Sequence, residues 1–155
     1  MLRIAVRART TLVFISLLLV SSCESQRNES AVSEARIARV IDGDTIVLTN
    51  DDRVRLIGID TPEDGKCGFT EAKVALEDLL RKEPVVLVRG TSKNLDKFDR
   101  YLRYVEISGI DVGLQLIKAG LAIARYDSRD GYGKHDREAQ YVLADKNSLV
   151  IDMCK

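Results

Sequence analysis

The chain has 155 residues, 45% of them hydrophobic and 31% charged, with 24 basic residues matched by 24 acidic ones. That composition bounds it to one globular domain with a modest core and excludes a polytopic membrane protein, since no stretch reaches the ~20 apolar residues of a spanning helix. The even charge balance excludes a globally basic nucleic-acid binder, so any nucleic-acid site must be a local basic patch.

In chain order, the first 22 residues read as a signal peptide. Arg3, Arg7 and Arg9 form a basic start, Leu12 to Val20 an apolar run, and Ser21 and Ser22 lead to Cys23. Val20-Ser21-Ser22-Cys23 resembles a bacterial lipobox, which implies a lipidated Cys23 and an exported protein held on the outer face of the membrane. The alternative is an ordinary secretory signal ending near a cysteine. Three of the basic residues and none of the acidic ones precede Cys23, so export leaves a chain acidic by three charges. Residues 24–35 are polar and lack aromatics, as a flexible tether does. Residues 36–155 then form the folded domain. Cys67 and Cys154 remain as either a disulfide pair or two buried thiols.

Within the domain, IARVI and TIVL before Leu48 and RVRLIGI from Arg53 to Ile59 read as three strands. Phe69, Ala72, Leu76, Leu79 and Leu80 recur at helical spacing, which predicts a helix over 70–82 with Thr70 as its N-cap and Pro84 beyond its end. Val85 to Arg89 and Tyr101 to Ile107 are two further strands. Asp111 caps a short helix that stops at Gly120, and a last helix covers 135–146. Five short strands with about three interposed helices suit an α+β fold built on a small, partly open barrel.

Chemistry gathers at one hairpin. A turn centred on Asp51 puts Asp44 opposite about Gly58, one diagonal step from Asp60 and on the same face. Two carboxylates that close repel unless a cation or proton joins them, and hard oxygen donors suit Ca²⁺ or Mg²⁺. Glu63 follows on the loop past Thr61-Pro62. Each acid alone reads equally as a turn residue. Strict alternation aims Arg55 away from Asp60; a bulge at Gly58 would reconcile them. Tyr126 to Arg137 is a charged, glycine-rich stretch that reads either as a solvated loop or as a substrate-facing one carrying Arg129, Lys134 and His135. The proposed chemistry gives His135 no role.

Four ordered segments carry a resemblance: Val40 to Thr45 (VIDGDT), Arg55 to Glu63 (RLIGIDTPE), Asp96 to Tyr104 (DKFDRYLRY) and Gly120-Leu121-Ala122. Together they resemble the staphylococcal nuclease family over about Arg36 to Tyr126. The resemblance implies a five-stranded OB-fold barrel and a Ca²⁺-dependent nuclease that hydrolyses phosphodiesters of DNA, RNA or both, acting as a monomer. It implies that Asp44, Asp60 and the backbone carbonyl of Thr61 hold Ca²⁺, with Asp42 nearby. Glu63 then activates the attacking water, Arg55 and Arg100 hold the scissile phosphate, and Lys97 and Tyr126 contact the terminal nucleotide. Three features depart from the family pattern. Asp99 replaces the usual glycine and sets a carboxylate where it can pair with Arg100 against substrate. Phe98 replaces a common tyrosine, and the exported chain is slightly acidic. The competing reading is a binding module of the same fold, from which the acid and arginine set would be missing.

Overall fold

The computed structural model describes residues 32–81 and 84–148. The expected signal peptide, Cys23 and Cys154 lie outside them. Cys67 is disulfide-bonded, with its partner also outside the described residues.

The elements run β1 (Val32–Ala35), β2 (Ile37–Val40), β3 (Thr45–Leu48), β4 (Arg53–Leu56), β5 (Ile59–Asp60), α1 (Phe69–Leu80), β6 (Val85–Val88), β7 (Tyr101–Ile107), β8 (Ile110–Asp111), α2 (Val112–Lys118), β9 (Ile123–Ala124), a 3₁₀ turn (Ser128–Asp130) and α3 (Glu138–Asn147). The main sheet orders its strands β1-β6-β7-β4-β3-β2. Only Arg36 separates β1 from β2, yet they lie at opposite ends of that order. The first strand, broken in two, therefore pairs with β6 through one half and β3 through the other, and the sheet closes on itself. Counting β1 and β2 as one interrupted strand gives the expected five-stranded OB-type barrel, with β4 and β7 as its parallel pair. Closure removes the exposed edges that an open sheet would present.

Val32–Ala35 is a correction to the tether expected over 24–35. Its sequence, VSEA, carries no local strand signal, and the residues are held by antiparallel pairing to Val85–Val88, far along the chain. Helix α1 also differs from expectation. It begins at Phe69 behind Gly68, whose φ of 87° makes the turn into the helix, and Thr70 makes no cap bond because it already lies within the helix. Ala72, Leu76 and Leu80, four residues apart, form its buried face. Leu76 and Leu80 meet inward-facing Ile46, Val54 and Leu56 of the barrel in the common core. Each such aliphatic burial contributes about 1.5–3 kcal/mol.

Asp111 does cap α2, its carboxylate accepting from Leu114 N–H at 3.0 Å. Gly120, with φ 69°, closes the helix: its N–H reaches the Ile117 carbonyl and Leu121 N–H reaches Leu116, both near 3 Å. Helix α3 starts at Glu138 rather than His135. Tyr141 anchors it by donating to both Asp111 oxygens at 2.8 and 2.9 Å. Arg137, stacked 4.2 Å over the Tyr104 ring, pairs with Asp111 and Glu106.

Candidate active site

The site grows from the hairpin β3–β4. Thr45 pairs with Arg55 and Val47 with Arg53, so the turn centres on Asn50 rather than Asp51. Asn50 stabilises that turn by accepting Asp52 N–H on its side-chain oxygen at 3.2 Å. Asp44 consequently stands opposite Leu56, not Gly58, and its carbonyl accepts Leu56 N–H at 2.9 Å. The expected proximity of Asp44 and Asp60 arises differently. Gly58 adopts φ 75°, ends β4 and turns the chain into the two-residue strand β5, which pairs with β9. This break brings Asp60 round to Arg55, the reconciliation that alternation required.

Arg55 lies between the two acids. Its Nη2 is 3.1 Å from Asp44 Oδ2 and 3.8 Å from Asp60 Oδ1. The guanidinium also donates to the Leu56 and Ile59 carbonyls at 2.7 and 2.9 Å, which fixes its plane. Asp44 is buried, and its Oδ2 further accepts the backbone N–H and hydroxyl of Thr61 at 3.1 and 3.0 Å. Burial, opposed by the Arg55 charge and reinforced by nearby Asp42, pushes the Asp44 carboxyl up to about 6. Asp42 orients the turn by accepting Asp44 N–H at 3.0 Å. Gly43 between them admits no side chain: a Cβ would lie 2.7 Å from the Ala72 Cβ and 2.8 Å from Thr61 Oγ1.

Arg100 arrives from the loop before β7. Its Nη1 donates to Thr45 Oγ1 at 3.3 Å, and Thr45 in turn donates to Asp44 Oδ1 at 3.2 Å. Two hydrogen bonds and the Asp44–Arg55 ion pair thus link Arg100 through Thr45 and Asp44 to Arg55. The ion partner of Arg100 is Asp96, at 2.6 Å, and not Asp99. Asp96 is partly buried, which alone would raise its carboxyl, but the Arg100 and Phe98 backbone N–H groups and the Arg100 guanidinium more than offset this and hold it low. Asp99 is exposed and makes no ion pair among the described residues. Its φ of 58° marks the position where glycine is the easier residue.

Tyr126 lies under Arg55, whose guanidinium carbon is 5.4 Å from its ring centroid. Burial, then the Asp60 charge, raises its phenol. Lys97 is exposed beside the Phe98 ring at 4.9 Å. Glu63 is exposed on the loop between β5 and α1, with no side-chain bond among the described residues. Arg125, whose Nη1 is 3.7 Å from Asp60 Oδ2, escaped the sequence reading. The pairing of β5 with β9 that delivers it leaves no local mark beyond its position next to Tyr126. His135 and Arg129 are drawn into structure rather than chemistry: His135 is buried against Tyr104, and Arg129 pairs with fully buried Asp127.

The donor set suits a hard divalent cation in kind. Asp44 and Asp60 converge on one nitrogen and offer hard carboxylate oxygens there. Among the described residues no three or more His, Cys, Asp or Glu side chains gather at metal-binding spacing. Such an ion would therefore draw on backbone oxygen and water as well. A concavity of about 680 Å³ opens at the other end of β3, between Leu48, Val54, Leu87 and Tyr101, and does not touch these acids.

A five-stranded barrel with paired acids and arginines clustered at a strand end defines a class of protein. Residues 53–148 match the family model described as staphylococcal nuclease homologue, and the chain belongs to that family. It is 29% identical over 145 residues to an uncharacterized endonuclease of Haemophilus influenzae, covering 88% of this chain and 73% of the relative. It is 36% identical over 107 residues to the thermonuclease of Staphylococcus intermedius, covering 62% of each. A prophage-derived endonuclease of Bacillus subtilis is 31% identical over 137 residues, covering 77% of this chain but only 46% of the relative.

Proposed function

We propose that this chain is a Ca²⁺-dependent nuclease that hydrolyses phosphodiester bonds of DNA, RNA or both, exported and anchored by lipid on Cys23. The observation that carries the reading is the chain of hydrogen bonds and ion pairs Arg100–Thr45–Asp44–Arg55–Asp60, which sets two guanidinium groups beside two convergent carboxylates. The family and the names of its relatives support nuclease chemistry.

Asp44, Asp60 and the Thr61 carbonyl would hold the ion, which when bound polarises the phosphoryl group. Arg55 and Arg100 present paired donors to the equatorial oxygens, where negative charge builds during in-line attack. Glu63, on its solvent-facing loop, accepts the proton of the attacking water. Tyr126 and Lys97 position the flanking nucleotide.

Digestion of single-stranded DNA, duplex DNA and RNA with Ca²⁺, Mg²⁺ or EDTA tests the reading. Arg100→Ala and Glu63→Gln should each lower turnover at least ~10²-fold, the usual cost of losing a transition-state donor or base. Asp44→Ala should chiefly weaken Ca²⁺ binding. Hydrolysis that survives all three substitutions would place the chemistry elsewhere and leave a binding module. For the anchor, Cys23→Ala should release the protein from membranes.

A further inference from the structure

We propose that Arg125 is the resident counter-cation of Asp60, which a divalent ion must displace to load, and that it thereby sets the ion concentration at which the nuclease switches on. The proposal rests on the nuclease reading for the identity of the ion and gives a role to a residue that this reading leaves without one.

Strand pairing delivers Arg125 to the acid. Asp60 pairs with Ile123 and Ile59 with Ala124 across β5–β9, and the Arg125 N–H extends the pairing by donating to the Gly58 carbonyl at 3.1 Å. Ile59 and Ala124 are buried, so Asp60 and Arg125 leave the opposite face as diagonal neighbours. Such neighbours stand about 7–8 Å apart, within reach of an arginine stem. The two carboxylate oxygens of Asp60 are divided accordingly. Oδ1 faces Arg55 Nη2 at 3.8 Å, and Oδ2 faces Arg125 Nη1 at 3.7 Å. The Tyr126 ring lies against both guanidinium groups, its centroid 5.4 Å from the Arg55 carbon and 5.6 Å from that of Arg125. Its π system favours keeping the second cation beside the acid.

The two arginines differ in what holds them. The Arg55 side chain is 10% exposed, pairs with Asp44 at 3.1 Å and donates to the Leu56 and Ile59 carbonyls. Moving it would strand those acceptors and leave Asp44 buried without its counter-charge. The Arg125 side chain is 51% exposed, and its guanidinium makes no hydrogen bond among the described residues. Its hold on Asp60 is a half-exposed ion pair beyond hydrogen-bond distance, the kind that water replaces at little cost. A divalent ion on Asp60 and a guanidinium 3.7 Å from the same carboxylate repel each other. Arg125 is therefore the group that yields, and ion binding carries the cost of moving it.

Calorimetric titration of the full chain with CaCl₂, without nucleic acid, reads that cost directly. Arg125→Gln should bind Ca²⁺ about fivefold to tenfold more tightly than the parent, the scale of one unit charge removed from a half-exposed site. Arg125→Lys keeps the charge and should stay within about twofold of the parent. Lys118→Gln, on the last turn of α2, removes an exposed charge elsewhere. It should leave the affinity unchanged, which separates a local pair from net charge. Equal Ca²⁺ affinity in Arg125→Gln and the parent, with circular dichroism unaltered and Ca²⁺-dependent hydrolysis intact, would overturn the role of Arg125 and spare the nuclease. A parent that neither binds Ca²⁺ nor cleaves DNA with it would refute the nuclease reading and the proposal together.

Discussion

At the scale of single residues, Asp99 and Asp96 divide a role that looked single. Asp96 organises the loop by accepting the N–H groups of Phe98 and Arg100 and the Arg100 guanidinium on its two oxygens. Asp99, next to Arg100 in sequence, turns with φ 58° and contributes no ion pair among the described residues. Glycine relieves the left-handed strain of about 1–2 kcal/mol while costing roughly 0.5–1 kcal/mol through the unfolded chain. Asp99→Gly should therefore hold or raise stability, by up to about 1 kcal/mol in urea denaturation, and leave KM for oligonucleotide unchanged. Asp96→Ala should do the reverse, raising KM and lowering turnover, since it releases Arg100 from the geometry that also meets Thr45. A fall in KM for Asp99→Gly would return the competing carboxylate to Asp99.

At the scale of elements, the break between β4 and β5 decides whether Arg55 and Asp60 meet, and the C-terminal segment buttresses it. Gly58 packs against the buried His135 ring, where a Cβ would lie 2.4 Å from Nε2. His135 Nδ1 in turn bonds the Tyr104 hydroxyl at 2.8 Å, and its Nε2 has no partner. Gly65 has nearly the same φ, 74°, with nothing within 4 Å of a built Cβ. Gly58→Ala should thus cost overpacking as well as backbone strain, about 2–5 kcal/mol in all, against about 1 kcal/mol for Gly65→Ala. Thermal denaturation of the two variants side by side checks the difference. Burial holds the His135 imidazole below its ordinary value, against the pull of Glu138, Asp127 and Asp136. A base depressed in the fold contributes stability above its unfolded value near 6.5 and loses it as pH falls through the folded one. As the only histidine, it should titrate in NMR with a midpoint below 6.5, and His135→Gln should flatten the loss of stability on acidification. A midpoint at or above 6.5 would contradict the dry pocket beneath Gly58.

These residues also show what a sequence can and cannot disclose. The acids and arginines were legible because their motifs are contiguous, and α2 was legible because Asp111 and Gly120 act on backbone groups within a turn of themselves. Strand β1, the register that sets Asp44 against Leu56, and Arg125 were not. Each depends on a partner far along the chain: β6 for the first, the Asn50-centred turn and β4 for the second, β5 with β9 for the third. Thr70 was misread as a cap because the composition of a helix start says less than the φ of Gly68 two residues earlier.

At the scale of the whole molecule, the three cysteines tie the anchor to the fold. Cys67 is in a disulfide and sits four residues beyond Glu63, on the loop that enters α1. Its partner is either Cys23 or Cys154, the only other cysteines of the chain. The proposed lipid anchor chooses between them, because a Cys23 sulfur carrying a diacylglyceryl thioether has no thiol left to oxidise. The anchored protein must then pair Cys67 with Cys154, joining the loop that bears the proposed base to the far end of the chain. Either closure spans enough residues to stabilise the fold by about 4 kcal/mol in the chain-entropy model. Reduction should therefore lower the urea midpoint, and Cys67→Ser should abolish the sensitivity to reductant. Peptide mapping of protein isolated from membranes under non-reducing conditions decides the pairing: a Cys67–Cys154 peptide is expected, and a Cys67–Cys23 peptide would dismiss the lipid anchor while leaving the barrel and its acid–arginine site as they stand.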